Sequence, residues 1–209
     1  MITIWGRETG LCVKKVLWCC EEVGVKFERI DAGKEFGRTN TEEYLKLNPN
    51  GTVPTIVDGD YVLWESHAEM RYLALKYGNS DLYPTSPREH GDVNRWMDWS
   101  SGNLWTDTVS IINKYQRVPE EQRNWDVINA TAKNLARIWA MADEQLQHKP
   151  FISGANFTLA DITMGVLAQI WVGFGLKDRP HLEGFEAWYG RISARPGFQR
   201  YAMLPLAPN

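Results

Sequence analysis

Cysteine and hydroxyl side chains that could do chemistry cluster at a few points of this sequence. Cys12, Cys19 and Cys20 are the three cysteines, and all fall in one short segment. Cys12 stands where a helical pattern begins, and the first turn of a helix is where a thiol becomes reactive. The alternative for Cys12 is a small apolar residue packed under a loop. Cys20 repeats with Val13, Val16 and Leu17 on one helical face, so Cys20 and its neighbour Cys19 read as core. A second cluster is Glu65-Ser66, at the start of another helical stretch. A helix N-terminus with a free hydroxyl attracts a carboxylate. Ser66 with Glu69 also fits the S-x-x-E capping box, and His67 reads as a surface residue beside it. Val53-Pro54 precedes a strand, a position that suits a residue without an N–H. Thr158-x-x-Asp161 reads as a further helix cap.

The elements that must hold these groups follow from period and punctuation. Residues 2–5 are β-branched and aromatic, and Gly6 breaks the run. Helical spacing from Val13 to Val23 ends at Gly24, and residues 25–30 alternate as a half-buried strand. Thr41 to Leu47 fits a short helix. Two apolar runs, 55–57 and 61–64, flank Asp58-Gly59, a hairpin signal because glycine tolerates positive φ. Met70, Leu73, Ala74 and Tyr77 mark the next helix. Residues 79–87 are rich in turn formers, and beyond them every stripe is helical: Val93 to Met97, Ile128 to Leu146, Leu159 to Ile170, and Leu182 to Ile192. The order predicts an α/β thioredoxin-like domain over 1–78, a linker over 79–87, and an all-α helical bundle over 88–209.

Bulk properties exclude several function classes. The 209 residues carry a formal charge of −3 and 44% apolar residues, so a packed core is expected and nucleic acid is not a partner. No window is long and apolar enough for a membrane span. The N-terminus lacks a signal-peptide pattern, and an odd set of adjacent cysteines fits a reducing compartment, so a cytoplasmic protein is expected.

Asn48-Pro49-Asn50-Gly51-Thr52-Val53-Pro54, the hairpin, Leu63-Trp64-Glu65-Ser66 and Arg71-Tyr72-Leu73 together resemble the glutathione-binding half of the glutathione transferase family. Phe151-Ile152-Ser153-Gly154 with Thr158-Leu159-Ala160-Asp161 resembles its C-terminal capping motif, and the opening ITIWGR, VKKVLWCCEE and ERIDAGKEFG look like the bacterial enzymes near the theta and phi classes. The resemblance implies a cis Pro54, with Val53 pairing its backbone to the cysteine part of glutathione like a short added strand. It implies that Glu65 and Ser66 hold the γ-glutamyl end, ammonium and carboxylate respectively. Thr52 stands where relatives often place Gln or Lys. For the glycine carboxylate, the segment Lys34 to Asn40 offers Arg38 and Asn40. Trp99, Trp105 and Trp171 fall where the family's helical domain borders the second-substrate pocket, whereas Trp18, Trp64, Trp139 and Trp188 fit core positions.

One feature of the resemblance is broken. Relatives carry Ser-x-Asn just before the residue matching Val13, and here those places hold Gly10 and Cys12. Three groups remain to activate a thiol: the Thr9 hydroxyl, the backbone N–H groups of Leu11 and Cys12, or Cys12 itself. The function implied is transfer of the glutathione thiolate to a small apolar electrophile, with glutathione as co-substrate, no metal, and a homodimer. The alternatives are glutathione-dependent disulfide or peroxide reduction through Cys12, and a non-catalytic glutathione-binding protein. As a cap, Asp161 is expected to contribute about 1 kcal/mol to stability and nothing to glutathione affinity.

Overall fold

The computed structural model describes residues 1–174 and 179–205. Residues 175–178 and 206–209 of the span expected to be helical lie outside the described residues. The chain forms two compact units: Met1–Tyr83 together with the C-terminal segment from Arg195, and Pro84–Ala194.

The first unit is built on a four-stranded sheet ordered β2-β1-β3-β4. Strand β1 (Ile2–Trp5) pairs parallel with β2 (Phe27–Ile30), across helix α1 (Leu11–Val23). Helix α2 (Glu42–Leu47) follows, capped by the Thr41 side chain. Strand β3 (Thr55–Asp58) then pairs antiparallel with both β1 and β4 (Tyr61–Trp64). The Asp58-Gly59 turn forms as its residues require, with Gly59 at φ 68°. Helix α3 (Ser66–Tyr77) packs against α1. This is the thioredoxin-like plan. Ile2, Ile4, Val16, Leu17 and Ile56 are buried between sheet and helices.

The C-terminal segment belongs to this unit for reasons that lie on α1. Gly197 sits so close to Trp18 that a methyl group there would lie 2.3 Å from the indole ring. Phe198 packs edge-on to Trp18 at 5.3 Å, and Arg195 pairs with Glu22. The Lys14 ammonium donates to the carbonyls of Ala202 and Leu204, and its burial pulls its pKa down to about 8.

The second unit is helical: α4 (Pro87–Trp99), α5 (Trp105–Ile111), α6 (Trp125–Leu146), α7 (Leu159–Gly173) and α8 (Glu183–Ser193). Trp139, Phe185 and Trp188 form its aromatic core, with ring centroids 4.9–6.3 Å apart. Of the tryptophans assigned to core positions, Trp18, Trp139 and Trp188 are fully buried, but Trp64 is 37% exposed. Trp64 ends strand β4, an edge strand of the sheet among the described residues.

Candidate functional site

The turn between β1 and α1 comes first. Helix α1 begins at Leu11, two residues before the apolar stripe, and Gly10 caps it with no side-chain hydrogen bond. The first paired amide is that of Lys14, which donates to the Gly10 carbonyl at 2.8 Å. The amides of Leu11, Cys12 and Val13 precede it, and such N–H groups carry the positive end of the helix dipole. Cys12 is half-buried in this first turn, whereas Cys19 and Cys20 are fully buried. Burial pushes the Cys20 thiol up to about 12 and the Cys19 thiol well above its ordinary range, so both stay protonated. The Thr9 hydroxyl is buried and meets no hydrogen-bond partner among the described residues.

The Val53–Pro54 peptide is cis. Val53 lies just outside the β1–β3 ladder, which starts at Thr55. The preceding Thr52 is exposed, and its carbonyl is fixed from behind by the Tyr44 hydroxyl at 2.5 Å and the Asn48 amide at 2.9 Å. Two glycines let this segment approach the turn before α1. A methyl on Gly6 would lie 2.6 Å from Val13 and 3.4 Å from Val53; one on Gly33 would lie 3.1 Å from the Arg7 guanidinium and 3.3 Å from Val53. Val53 and the opening of α1 are therefore neighbours.

The start of α3 differs from the capping box expected of it. Glu65, not Ser66, is the N-cap, with φ 76° and ψ 105° and no capping side-chain bond. Positive φ is strained for glutamate, and strain of this kind gathers at functional sites. Ser66 is the first helical residue and is buried, while the Glu65 side chain is exposed. Glu69 does not reach back to the cap. Its carboxyl is fully buried, and burial pushes its pKa well above the carboxylate range against the opposing pull of the Ile56 backbone.

Arg38 and Asn40 are exposed on the loop between the single 3-10 turn Lys34–Phe36 and α2, with Arg38 at φ 68°. In the helical unit, half-buried Trp99 ends α4 and half-buried Trp105 begins α5, with a π-helical stretch Ser100–Leu104 between them. Trp171 is 2% exposed, and its indole N–H has no acceptor among the described residues.

Near the first turn of α1, Lys15 carried no assignment from the sequence, and the surface reading of His67 is overturned. Lys15 is 2% exposed, and its ammonium lies 3.3 Å from Nε2 of His67, the second residue of α3. His67 is thus a partner that ties α3 to α1, not a surface residue. Burial first, then the charges of Lys15 and Arg71, pull the imidazole down to about 2, which keeps it neutral. The signal available was the pair Lys14-Lys15 inside an apolar helical stretch, where one lysine at least had to be buried. Among the described residues no group of three or more His, Cys, Asp or Glu side chains is placed to hold a metal ion, and no helix is long and apolar enough to cross a membrane.

Residues 2–75 match the family model for the N-terminal domain of glutathione S-transferase. The chain is 36% identical to glutathione S-transferase GstB of Escherichia coli strain K12, with 99% of this chain and all of that one covered. It is 30% identical to glutathione S-transferase F10 of Arabidopsis thaliana over 89% of each chain. Among solved structures, the theta class glutathione S-transferase of Xanthomonas axonopodis pv. citri with glutathione bound superposes with a TM-score of 0.92, at 40% identity over 99% of both chains.

Proposed function

The chain belongs to the glutathione S-transferase family, and from that we propose that it binds glutathione along Val53 and transfers its thiolate to a small apolar electrophile. One observation carries the reading: the Val53 segment lies against the opening of α1, so a peptide paired to Val53 lays its sulfur by the unpaired amides of that helix. Glu65 takes the γ-glutamyl ammonium, and Ser66 with the N-terminus of α3 takes the carboxylate. Arg38 and Asn40, exposed on the loop before α2, are assigned to the glycine carboxylate. Trp99, Trp105 and Trp171 supply apolar wall for the electrophile.

The thiol must lose its proton for this. A free thiol with pKa about 8.5 needs about 2.7 kcal/mol to drop by two units. A charge-assisted hydrogen bond gives roughly 1.5–3 kcal/mol, and a helix N-terminus about 0.3–1 kcal/mol more. The Thr9 hydroxyl and the amides of Leu11 and Cys12 are the donors at hand. The protein acts in the cytoplasm as a homodimer. Isothermal titration with reduced glutathione, followed by turnover of an aromatic halide above the background of free glutathione, tests the proposal; no heat of binding at millimolar glutathione sinks it.

A second reading rests on Cys12 being the one cysteine with solvent access. In it the Cys12 thiolate attacks a disulfide and expels one thiolate; a first glutathione displaces the other half as a second thiol, and a second glutathione frees Cys12 and leaves with the first as glutathione disulfide. Cys12→Ala separates the two readings: reductase turnover is lost in one, conjugation is retained in the other.

A further inference from the structure

Helix α2 and its cap present two buried polar side chains to the segment that enters β3. Tyr44 lies on α2, Asn48 is the C-cap, and each is 1% exposed. The Tyr44 hydroxyl lies 2.5 Å from the Thr52 carbonyl and 2.9 Å from the Thr55 hydroxyl. The Asn48 amide nitrogen reaches the same two oxygens at 2.9 and 3.0 Å. A carbonyl only accepts, so the single Tyr44 proton goes to Thr52, and the Thr55 hydroxyl donates to Tyr44. Asn48 gives one N–H to Thr52 and the other to Thr55. Both lone pairs of the Thr52 carbonyl are thus engaged by donors that are themselves fixed. The Tyr44 ring meets Trp5 edge-on at 5.6 Å, and Trp5 pairs with Thr55 across the β1–β3 ladder. The Asn48 side-chain oxygen accepts the Asn50 amide at 3.0 Å, which holds the turn between the two threonines and the helix.

Clamping that carbonyl sets the direction of the next amide. The Thr52 carbonyl and the Val53 N–H belong to one planar peptide unit, which is trans, and in a trans unit the two point opposite ways. With the carbonyl drawn in toward two buried donors, the Val53 N–H is turned out, on a segment where Thr52 is exposed and Val53 half-buried. We propose that Tyr44 is a positioning residue for glutathione: its hydroxyl, with the Asn48 amide, holds the Thr52 carbonyl inward and so aims the Val53 N–H at the main chain of the bound tripeptide. The inference deepens the binding mode proposed above and rests on it. Pairing through the backbone needs an amide held in direction as well as in place, because a hydrogen bond weakens steeply once its angle falls below about 120°.

The test uses Tyr44→Phe, which keeps the ring against Trp5 and removes the hydroxyl, while Asn48 still holds the carbonyl in the folded chain. Lys46→Gly is the control: Lys46 is exposed on the same short helix, and glycine loosens that helix without touching the clamp. Isothermal titration should show Tyr44→Phe binding reduced glutathione about five- to tenfold more weakly than wild type, the contribution of one well-aimed hydrogen bond. At saturating glutathione its kcat with the aromatic halide should equal the wild-type value, because loss of uniform binding raises KM and leaves kcat alone. Lys46→Gly should melt at a lower temperature and bind glutathione as wild type does. If Tyr44→Phe binds as tightly as wild type, or if Lys46→Gly weakens binding as much as Tyr44→Phe, the inference is overturned while the transferase reading stands. If wild type takes up no glutathione, that reading falls and the inference with it. Should Tyr44→Phe not fold, amide hydrogen exchange of wild type decides: saturating glutathione should slow exchange at the Val53 N–H, and an unchanged rate overturns the inference.

Discussion

Replacing Asp161 by alanine should damage the helical unit far more than loss of a helix cap. Asp161 is fully buried near the start of α7, and its carboxylate has four donors. One oxygen accepts from the Ile152 amide at 2.9 Å and from the Trp188 indole N–H at 2.8 Å. The other accepts from the amide and hydroxyl of Thr158 at 2.9 and 3.1 Å. Burial pushes the Asp161 carboxyl above its ordinary range while these four donors pull it back. Only the bond to the Thr158 amide is a cap. The other two N–H donors come from the loop before α7 and from α8, so the side chain joins three segments. In Asp161→Ala the Thr158 hydroxyl can still use Ser153, 2.8 Å away, but three buried N–H groups lose their acceptor. Each such loss costs about 1–3 kcal/mol, and a water drawn into the vacated space recovers part of it. The expected loss is about 3–5 kcal/mol, against the roughly 1 kcal/mol that a cap alone contributes.

Thr158→Ala is the control, because it removes the cap hydroxyl and leaves the Asp161 carboxylate with its three N–H donors. It should cost about 1 kcal/mol. Urea denaturation of wild type and both variants, followed by tryptophan fluorescence and by far-ultraviolet circular dichroism, reads the difference; coincident curves from the two probes license the free energies. Glutathione titration under folding conditions should give the wild-type affinity for both variants, since the residues proposed to bind it lie in the first unit. Equal losses for Asp161→Ala and Thr158→Ala would refute the argument that the carboxylate is a hub.

Three further outcomes follow from the geometry. A methyl at Gly184 would lie 2.7–2.9 Å from backbone atoms of Asp143, Leu146 and Gln147 at the end of α6; backbone cannot swing aside, so Gly184→Ala should cost about 2–3 kcal/mol in the same denaturation assay. Hydrogen bonds from Lys76 and Tyr77, then Tyr72, against the opposing effect of burial, bring the Asp58 carboxyl down to about 2. A carboxylate held below its unfolded pKa of about 3.9 adds stability above that pH and loses it as pH falls. Asp58→Asn should therefore flatten the fall in stability between about pH 4 and pH 2 measured by urea titration. Gly10 has φ −75°, open to any residue, and a methyl there would sit 3.2 Å from Val13 and 3.3 Å from the Arg7 carbonyl, which a small shift relieves. Gly10→Ser should fold, with a melting temperature a few degrees lower at most, and should raise kcat/KM for conjugation. An unchanged rate would mean that the activating donors are already complete without that hydroxyl.

Local signals in the sequence translated directly into structure where the cause is local. The Asp58-Gly59 turn, the end of α1 at Gly24 and the long seam of α6 depend on residues within a few positions of one another. Boundaries moved where the signal was indirect. The α1 start lies at Leu11 because the unpatterned residues Leu11 and Cys12 complete the first turn, and a glycine cap leaves no side-chain mark. The Ser66 to Glu69 spacing resembles a capping box in sequence, yet the strained φ of Glu65 shifts the cap by one residue and sends Glu69 inward. The order of the elements in the first unit was legible because the whole pattern resembles a known family. The Lys15–His67 contact was not, since it joins residues 52 apart in the chain and His67 read as a surface residue. The return of the C-terminal segment to Trp18 was hidden for the same reason: its causes, Gly197 and Phe198, lie far from α1 in sequence.

Buried polar groups divide by how completely they are satisfied, and that division separates stability from chemistry in this chain. Asp161 and Asp143 are enclosed by donors: Asp143 accepts the Phe185 amide at 2.8 Å and the Gln147 side chain at 2.8 Å. Full satisfaction makes a buried charge a fastener between helices. The first unit is built otherwise around the turn before α1 and the start of α3. The Thr9 hydroxyl meets no partner among the described residues, the Glu69 carboxyl is fully buried with its pKa pushed well above the carboxylate range, and Glu65 is strained. A fold keeps such defects only where neighbouring packing over-determines them, and here they border the two helix N-termini on which an acidic tripeptide is proposed to lie. The fully satisfied hub at Asp161 tolerates no such defect, because among the described residues each of its donors has no other acceptor nearby once the carboxylate is removed, the Thr158 hydroxyl excepted.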